Sequence, residues 1–507
     1  MRTGTRVEVM RDYSVPAALL AAALLLGALA VSASGAEVTD RRIADAVEDE
    51  LLFDTAVRAN DITVTVVEGV VTLDGEVSNA LARDRAVMIA ETVRGVRSVV
   101  DLIEVDPYWG LTDAEIEQKA RDALLYNPAA ESYEIGVDVD GKVATLTGKV
   151  ESWAERDLAG KVVKGVRGVR SIENDIVVEY VTERSDMEIE NDVEERLRWD
   201  VLVDDGLIEV SVDGGEVSLE GTVGSLAEKR QARNDAWVTG VEEVDVSGLE
   251  VKMWARDERL RKDKYVVKPA RRVKEAIEDA LLYDPRVLSM DVTPEVTGGV
   301  VTLRGAVGSL EEKRAAGDVA RNTVGVVTVD NRIRIRPVVP VDEDTAEEIR
   351  NALERDPWVE KNDISVSVID DTAYLSGAAD TYFEKGRADD IASEADGVTE
   401  VRNNIVVDYP DYPLAYDPYL YDYYFYDYDW YDYEPYYTFS VDWEIEEDIE
   451  SELFWSPFVD EEDVDVTVES GVATLTGVVD TWAEYNAAEE NAYEGGATWV
   501  ENDLAVK

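Results

Sequence analysis

Side chains able to do acid–base chemistry are abundant in this 507-residue sequence, but almost all are carboxylates. There are 111 Asp and Glu against 50 Lys and Arg, a formal charge of −61. Two adjacent carboxylates can divide acid and base roles when their surroundings pull their pKa values apart. At this density, chance pairs are expected everywhere, and none has a distinctive spacing. The sequence has no His and no Cys. That removes Ser-His-Asp and Cys-His catalysis, disulfides, and thiolate- or imidazole-ligated metal sites. No catalytic, cofactor-binding or metal-binding residue is therefore assigned. The charge also repels nucleic acid along most of the surface. An apolar content of 45% argues for folded protein all the same.

Binding chemistry is concentrated in a few places. Lys252 to Lys274 holds ten Lys and Arg against three carboxylates, a local +7. Lys252, Trp254, Arg256, Arg259, Arg261, Lys262 and Lys264 are its candidate contacts for an anionic partner such as lipid headgroups. The alternative is a clamp on the protein's own acidic surface. Trp153, Tyr382, Phe383 and Trp482 sit one or two residues past helix-start signals. Rings there suit a membrane interface, or else cover a neighbouring element. A third segment, Asp408 to Ser440, holds thirteen of the 24 tyrosines, alternating with Asp. It reads either as a surface for glycans, cations or self-association, or as a low-complexity linker.

These candidates hang on a repeat. Gly69-Val-Val-Thr-Leu-Asp-Gly75 returns in variant form ending at Gly148, Gly221, Gly305, Gly377 and Gly477, at intervals of 73, 73, 84, 72 and 100 residues. Each anchor is followed four residues later by a cap residue (Asn79, Ser152, Ser225, Ser309, Thr381 or Thr481). Three further on comes Glu in five of the six copies, the signature of a capping box. Eleven residues after each anchor stands Ala, which implies close approach of helix to sheet. A glycine then stops the helix, at Gly95, Gly168, Gly240, Gly325, Gly397 or Gly496. Upstream lie an alternating strand such as Ile62–Val66 and an amphipathic helix, on which Ile116, Ala120, Ala123 and Leu124 share a face. The anchor glycines Gly75, Gly148, Gly221, Gly305, Gly377 and Gly477 are expected to serve the hairpin turns.

The unit thus reads helix–strand–strand–helix–strand. The fold class is α+β, six small two-layer α/β sandwiches in tandem. The hairpin G-x-V-x-L-x-G, the helix start S-x-x-E and the tail Gly168-Val-Arg-Ser-Ile-Glu-Asn-Asp-Ile-Val-Val178 together resemble the BON domain of bacterial envelope proteins. The expected boundaries are 37–107, 108–180, 181–251, 267–338, 339–407 and 441–507, with a basic linker at 252–266 and the Tyr/Asp-rich linker at 408–440. Residues 1–36, with three arginines before an apolar run and a small-residue exit, read as a secretory signal peptide, or as an uncleaved anchor. The resemblance implies a non-catalytic exported or periplasmic protein active in osmotic or envelope stress. It would bind phospholipid or another envelope component. The rival is a scaffold whose repeats bind other proteins or each other. No cofactor is implied.

Overall fold

A computed structural model describes residues 38–506 apart from 55, 58–61, 108–109, 127–134, 181, 183, 257–263, 265–267, 285, 288–290, 337–341, 360–363, 408–441 and 498. The signal-peptide reading and the Tyr/Asp-rich segment lie outside the described residues. Six three-stranded sheets form, each backed by two helices. In the first repeat the order is helix Asp40–Phe53, strands Ile62–Val67 and Val70–Val77, helix Ala80–Thr92 and strand Ser98–Val105. The second strand is central, antiparallel to the first and parallel to the third. The other five sheets have the same order.

The hairpin turn is two residues long, and both take positive φ: Glu68 at 52° and Gly69 at 75° in the first repeat. That pair of left-handed residues is the turn whose twist matches flanking strands. In the fifth repeat Asp370 and Asp371 hold it at 49° and 62°. Asp tolerates this region through its short polar side chain, so replacing the glycine leaves the turn intact.

The anchor glycines do something other than turn the hairpin. Gly75, Gly148, Gly221, Gly305, Gly377 and Gly477 all lie inside the second strand of their repeats. Gly221, Gly305 and Gly477 pair with the first residue of the preceding strand. A Cβ on them would sit 2.1, 1.9 and 2.0 Å from the carbonyl oxygens of Leu207, Asp291 and Asp463. Close backbone approach at the hairpin's open end, not turning, excludes every other residue.

Packing follows the period of each element. The inward side of the central strand buries Val71 and Leu73 completely in the first repeat. The alanine eleven residues past the anchor is fully buried in all six copies. Ile116, Ala120 and Leu124 are buried as a stripe, with Ala123 at its half-buried margin. The helix-stop glycines take φ from 81° to 99°.

Candidate binding surfaces between and around the repeats

The repeats meet helix to helix, and alternate positions on the face of each sheet opposite its helices stay exposed. Three seams share one backbone contact. The residue before the helix-stop glycine donates its N–H to the last carbonyl of another repeat's first helix. Arg94 donates to Trp455 (3.1 Å), Arg167 to Arg355 (2.7 Å) and Val324 to Trp199 (2.9 Å). This joins repeat one to six, two to five and four to three. Where the donor is Arg, its side chain extends the seam. The Arg94 guanidinium donates to the Phe454 carbonyl and to Glu461, each at 2.9 Å, and lies 4.4 Å from the Phe454 ring centre. That of Arg167 donates to the carbonyls of Asp356 and Val359.

The basic run takes part in the same joining. Arg256 donates to the carbonyls of Ser456 (2.6 Å) and Val459 (3.1 Å), fastening it to the sixth repeat. Lys264 is buried, donating to the carbonyls of Leu197 and Val203 in the third repeat. Lys252 pairs with Glu250 at 2.9 Å, and Trp254 is 58% exposed. Arg259, Arg261 and Lys262 lie outside the described residues. Of the aromatics, Trp153 stacks on Trp237 of the third repeat, 4.8 Å between centres and 7° from parallel. Phe383 meets Trp358 edge-on at 4.9 Å, beneath the Arg85 guanidinium of the first repeat at 4.7 Å. The Trp482 indole donates to the Val327 carbonyl at 2.5 Å. The side chain of Tyr382 is outside the described set.

Acidic groups crowd the seams. Glu50 of the first repeat is hydrogen-bonded to Glu452 of the sixth. Burial pushes the Glu50 carboxyl up to about 8; Glu494 adds to the rise, the bond to Glu452 opposes it, and Asp54 and Asp49 raise it further. Burial raises Glu452 as well. In the third repeat, burial and the neighbouring Asp200 push Asp235 up to about 7, against the pull of Arg196 and Lys264. Asp235 is fully buried and 2.7 Å from the Arg196 guanidinium. Asp235 thus stands in a buried ion network with Arg196, Asp200 and Lys264. Two cavities open among the helices. One of about 340 Å³ lies between repeats three and four, and one of about 290 Å³ is walled by Leu81, Met88, Leu158, Val162, Trp358 and Phe383. Among the described residues, no group of three or more carboxylates is placed to hold a metal ion.

The BON domain model matches residues 39–107, 112–180, 185–253, 270–337, 341–409 and 442–507, well over half of the chain. The chain belongs to the BON domain family. It is 35% identical over 141 residues to the osmotically-inducible protein Y of Escherichia coli, covering 26% of this chain and 70% of that protein. Two structures of CdsD, a structural protein of the type III secretion system of Chlamydia trachomatis, align at 14% and 15% identity. They cover 41% and 42% of this chain and 91% and 100% of theirs, each at a TM-score of 0.12.

Two devices of the BON repeats escape a reading of the sequence. The first residue of the first helix is Asp in five described copies, and in four of them its carboxylate accepts from both turn amides: Asp40 from Glu68 and Gly69, Asp113 from Gly141 and Lys142, Asp186 from Gly214 and Gly215, Asp442 from Ser470 and Gly471. The invariant offset of 35 residues between this Asp and the anchor glycine was the available signal. The tail Asn ties the third strand to the second helix: Asn174 donates to the Arg156 carbonyl at 2.8 Å, and Asn403 to that of Lys385 at 2.8 Å. The capping box also reaches one residue further than expected. Ser309 accepts from the Glu312 amide, while Glu312 accepts from Gly308, the residue before the cap.

Proposed function

We propose that this chain is a non-catalytic, exported protein of the cell envelope. It acts in osmotic or envelope stress by presenting its BON repeats to envelope surfaces, phospholipid among them. The observation that carries this is the orientation of the repeats: helices are spent on joining one repeat to another, and alternate positions on the outer sheet faces stay exposed. Leu102, Val177 and Val406 stand on those outer faces at 52%, 53% and 66% exposure, each next to a buried isoleucine that points to the helices. Similarity to a protein named as osmotically inducible supports the physiological setting. No helix among the described residues is long and apolar enough to cross a membrane.

A second reading, a scaffold that binds proteins without lipid affinity, is favoured by the inward use of the basic run. Arg256 and Lys264 are committed to carbonyls of neighbouring repeats, so of the seven contacts named for 252–264 only Lys252 and Trp254 are both described and turned outward, while Arg271, Arg272 and Lys274 further along pair with carboxylates of their own surroundings. Co-sedimentation with phosphatidylglycerol and phosphatidylcholine vesicles separates the two. Pelleting with the anionic vesicles at low salt, lost in the K252A/W254A variant, supports lipid contact. Protein that stays in the supernatant with both vesicles at every salt concentration establishes the scaffold reading instead.

A further inference from the structure

The cavity between repeats three and four has chemistry that neither lipid contact nor repeat joining uses. At about 340 Å³ it is at the lower end of the ~300–1,000 Å³ in which proteins hold small ligands. Four rings line it: Trp153, Trp199, Trp237 and Tyr283. Trp153 and Trp237 are stacked face to face there, 4.8 Å between centres. Three ion pairs line it, Arg184 with Asp192 at 3.2 Å, Arg272 with Glu195 at 2.6 Å and Arg286 with Asp284 at 2.8 Å, beside Arg196, Asp200 and Asp279. The lining therefore offers donors and acceptors side by side with little net field. Among the rings, the Trp237 indole Nε1–H is buried and meets no acceptor.

We propose that this cavity binds a neutral saccharide of one or two rings. A hydroxyl both donates and accepts, which suits ion pairs that display both functions. A pyranose presents a face of C–H groups that lies flat on an indole. A quaternary ammonium, the other ligand that aromatic walls attract, is disfavoured. The Arg272 guanidinium already lies 5.8 Å from the Trp199 ring centre and the Arg196 guanidinium 5.7 Å from that of Tyr283, so those faces carry positive charge. A phosphorylated ligand is disfavoured because the lining sets five carboxyl groups, Asp192, Glu195, Asp200, Asp279 and Asp284, against four guanidinium groups. The Trp237 Nε1–H then finds its acceptor in a sugar oxygen.

The test is calorimetric titration of the intact protein, with tryptophan fluorescence in parallel, against glucose, trehalose and chitobiose, and against choline. Saturable heat with at least one sugar is expected, together with a tryptophan spectral shift. Trp237→Phe keeps an aromatic ring but loses the donor and part of the stacking area, and should weaken binding at least about fivefold, the worth of one hydrogen bond. Trp482→Phe, at a seam outside the cavity, should leave affinity unchanged. Circular dichroism of each variant confirms that the fold persists. The site is overturned if no sugar gives heat up to tens of millimolar, if choline saturates and the sugars do not, or if Trp237→Phe binds as tightly as the parent.

Discussion

Carboxylates at the hairpin ends and carboxylates in the helix seams are held in opposite ways. At the hairpin of the sixth repeat, Asp442 accepts two backbone N–H groups at 2.9 Å each, and these bonds hold its carboxyl below the usual range. In the seam between the first and sixth repeats, Glu50 and Glu452 face each other with Glu494, Asp54 and Asp49 close by, and burial drives both upward. The same functional group is thus an anionic staple in one place and a proton holder in the other. Between the two helices of the third repeat there is a further solution, because there Arg196 stands against Asp235. In a chain of −61, where the helices meet, excess acid is met by either a guanidinium or a proton.

The compensated site should be the most fragile to a single change. Arg196→Met removes the guanidinium 2.7 Å from Asp235, a residue with no solvent exposure, and leaves Asp200 beside it. Breaking one side of a buried pair typically costs about 3–5 kcal/mol. We expect urea unfolding of the region to shift by that order, with Asp235→Asn in the same chain recovering part of the loss. If Arg196→Met alone were neutral, the guanidinium would have no compensating role.

The proton-holding seam should instead respond to pH. Unfolded Glu50 ionises near its ordinary 4.5 and folded Glu50 near 8. Between these values the folded chain holds more protons, so this group's contribution is present at low pH and is lost as pH rises through about 8. Glu50→Gln with Glu452→Gln keeps the hydrogen-bonding shape and removes the charge. Melting should rise by about 2–4 °C at pH 8 and hardly change at pH 5. An equal change at both pH values would mean that the pair is not protonated in the seam.

What could be read from the sequence was what a repeat does with its own residues. Caps, helix stops, buried alanines and strand alternation are decided within a few turns of chain, and six copies reinforce each signal. The seams were hidden because they join residues far apart in sequence: Arg94 meets Phe454 across 360 positions. They also use different side chains at the same place, Arg94, Arg167 and Val324, since the shared contact is made by the backbone. The anchor glycines misled for a physical reason. Glycine serves equally for a left-handed turn and for close backbone contact, and only the register of Gly305 opposite Val292 separates the two. Trp237 carried no signal at all, because its partner in the stack lies in another repeat.

The smallest predicted effect tests the hairpin side of the comparison. Asp113 accepts from the Gly141 and Lys142 amides at 3.0 Å each, at an exposed turn where water competes for both donors. Asp113→Ala should therefore cost only about 1 kcal/mol, with faster amide exchange at Gly141 and Lys142 as the local sign. For Asp442 the pH dependence runs opposite to that of Glu50. Its folded carboxyl lies below the ordinary 3.8, so its contribution is present above that value and is lost as acid protonates the folded group. Protection of the Ser470 and Gly471 amides, taken relative to intrinsic exchange at the same pH, should fall below pH 3.8 while the first-to-sixth seam stays closed. Turn and seam opening together on acidification would show that the two sets of carboxylates do not act independently.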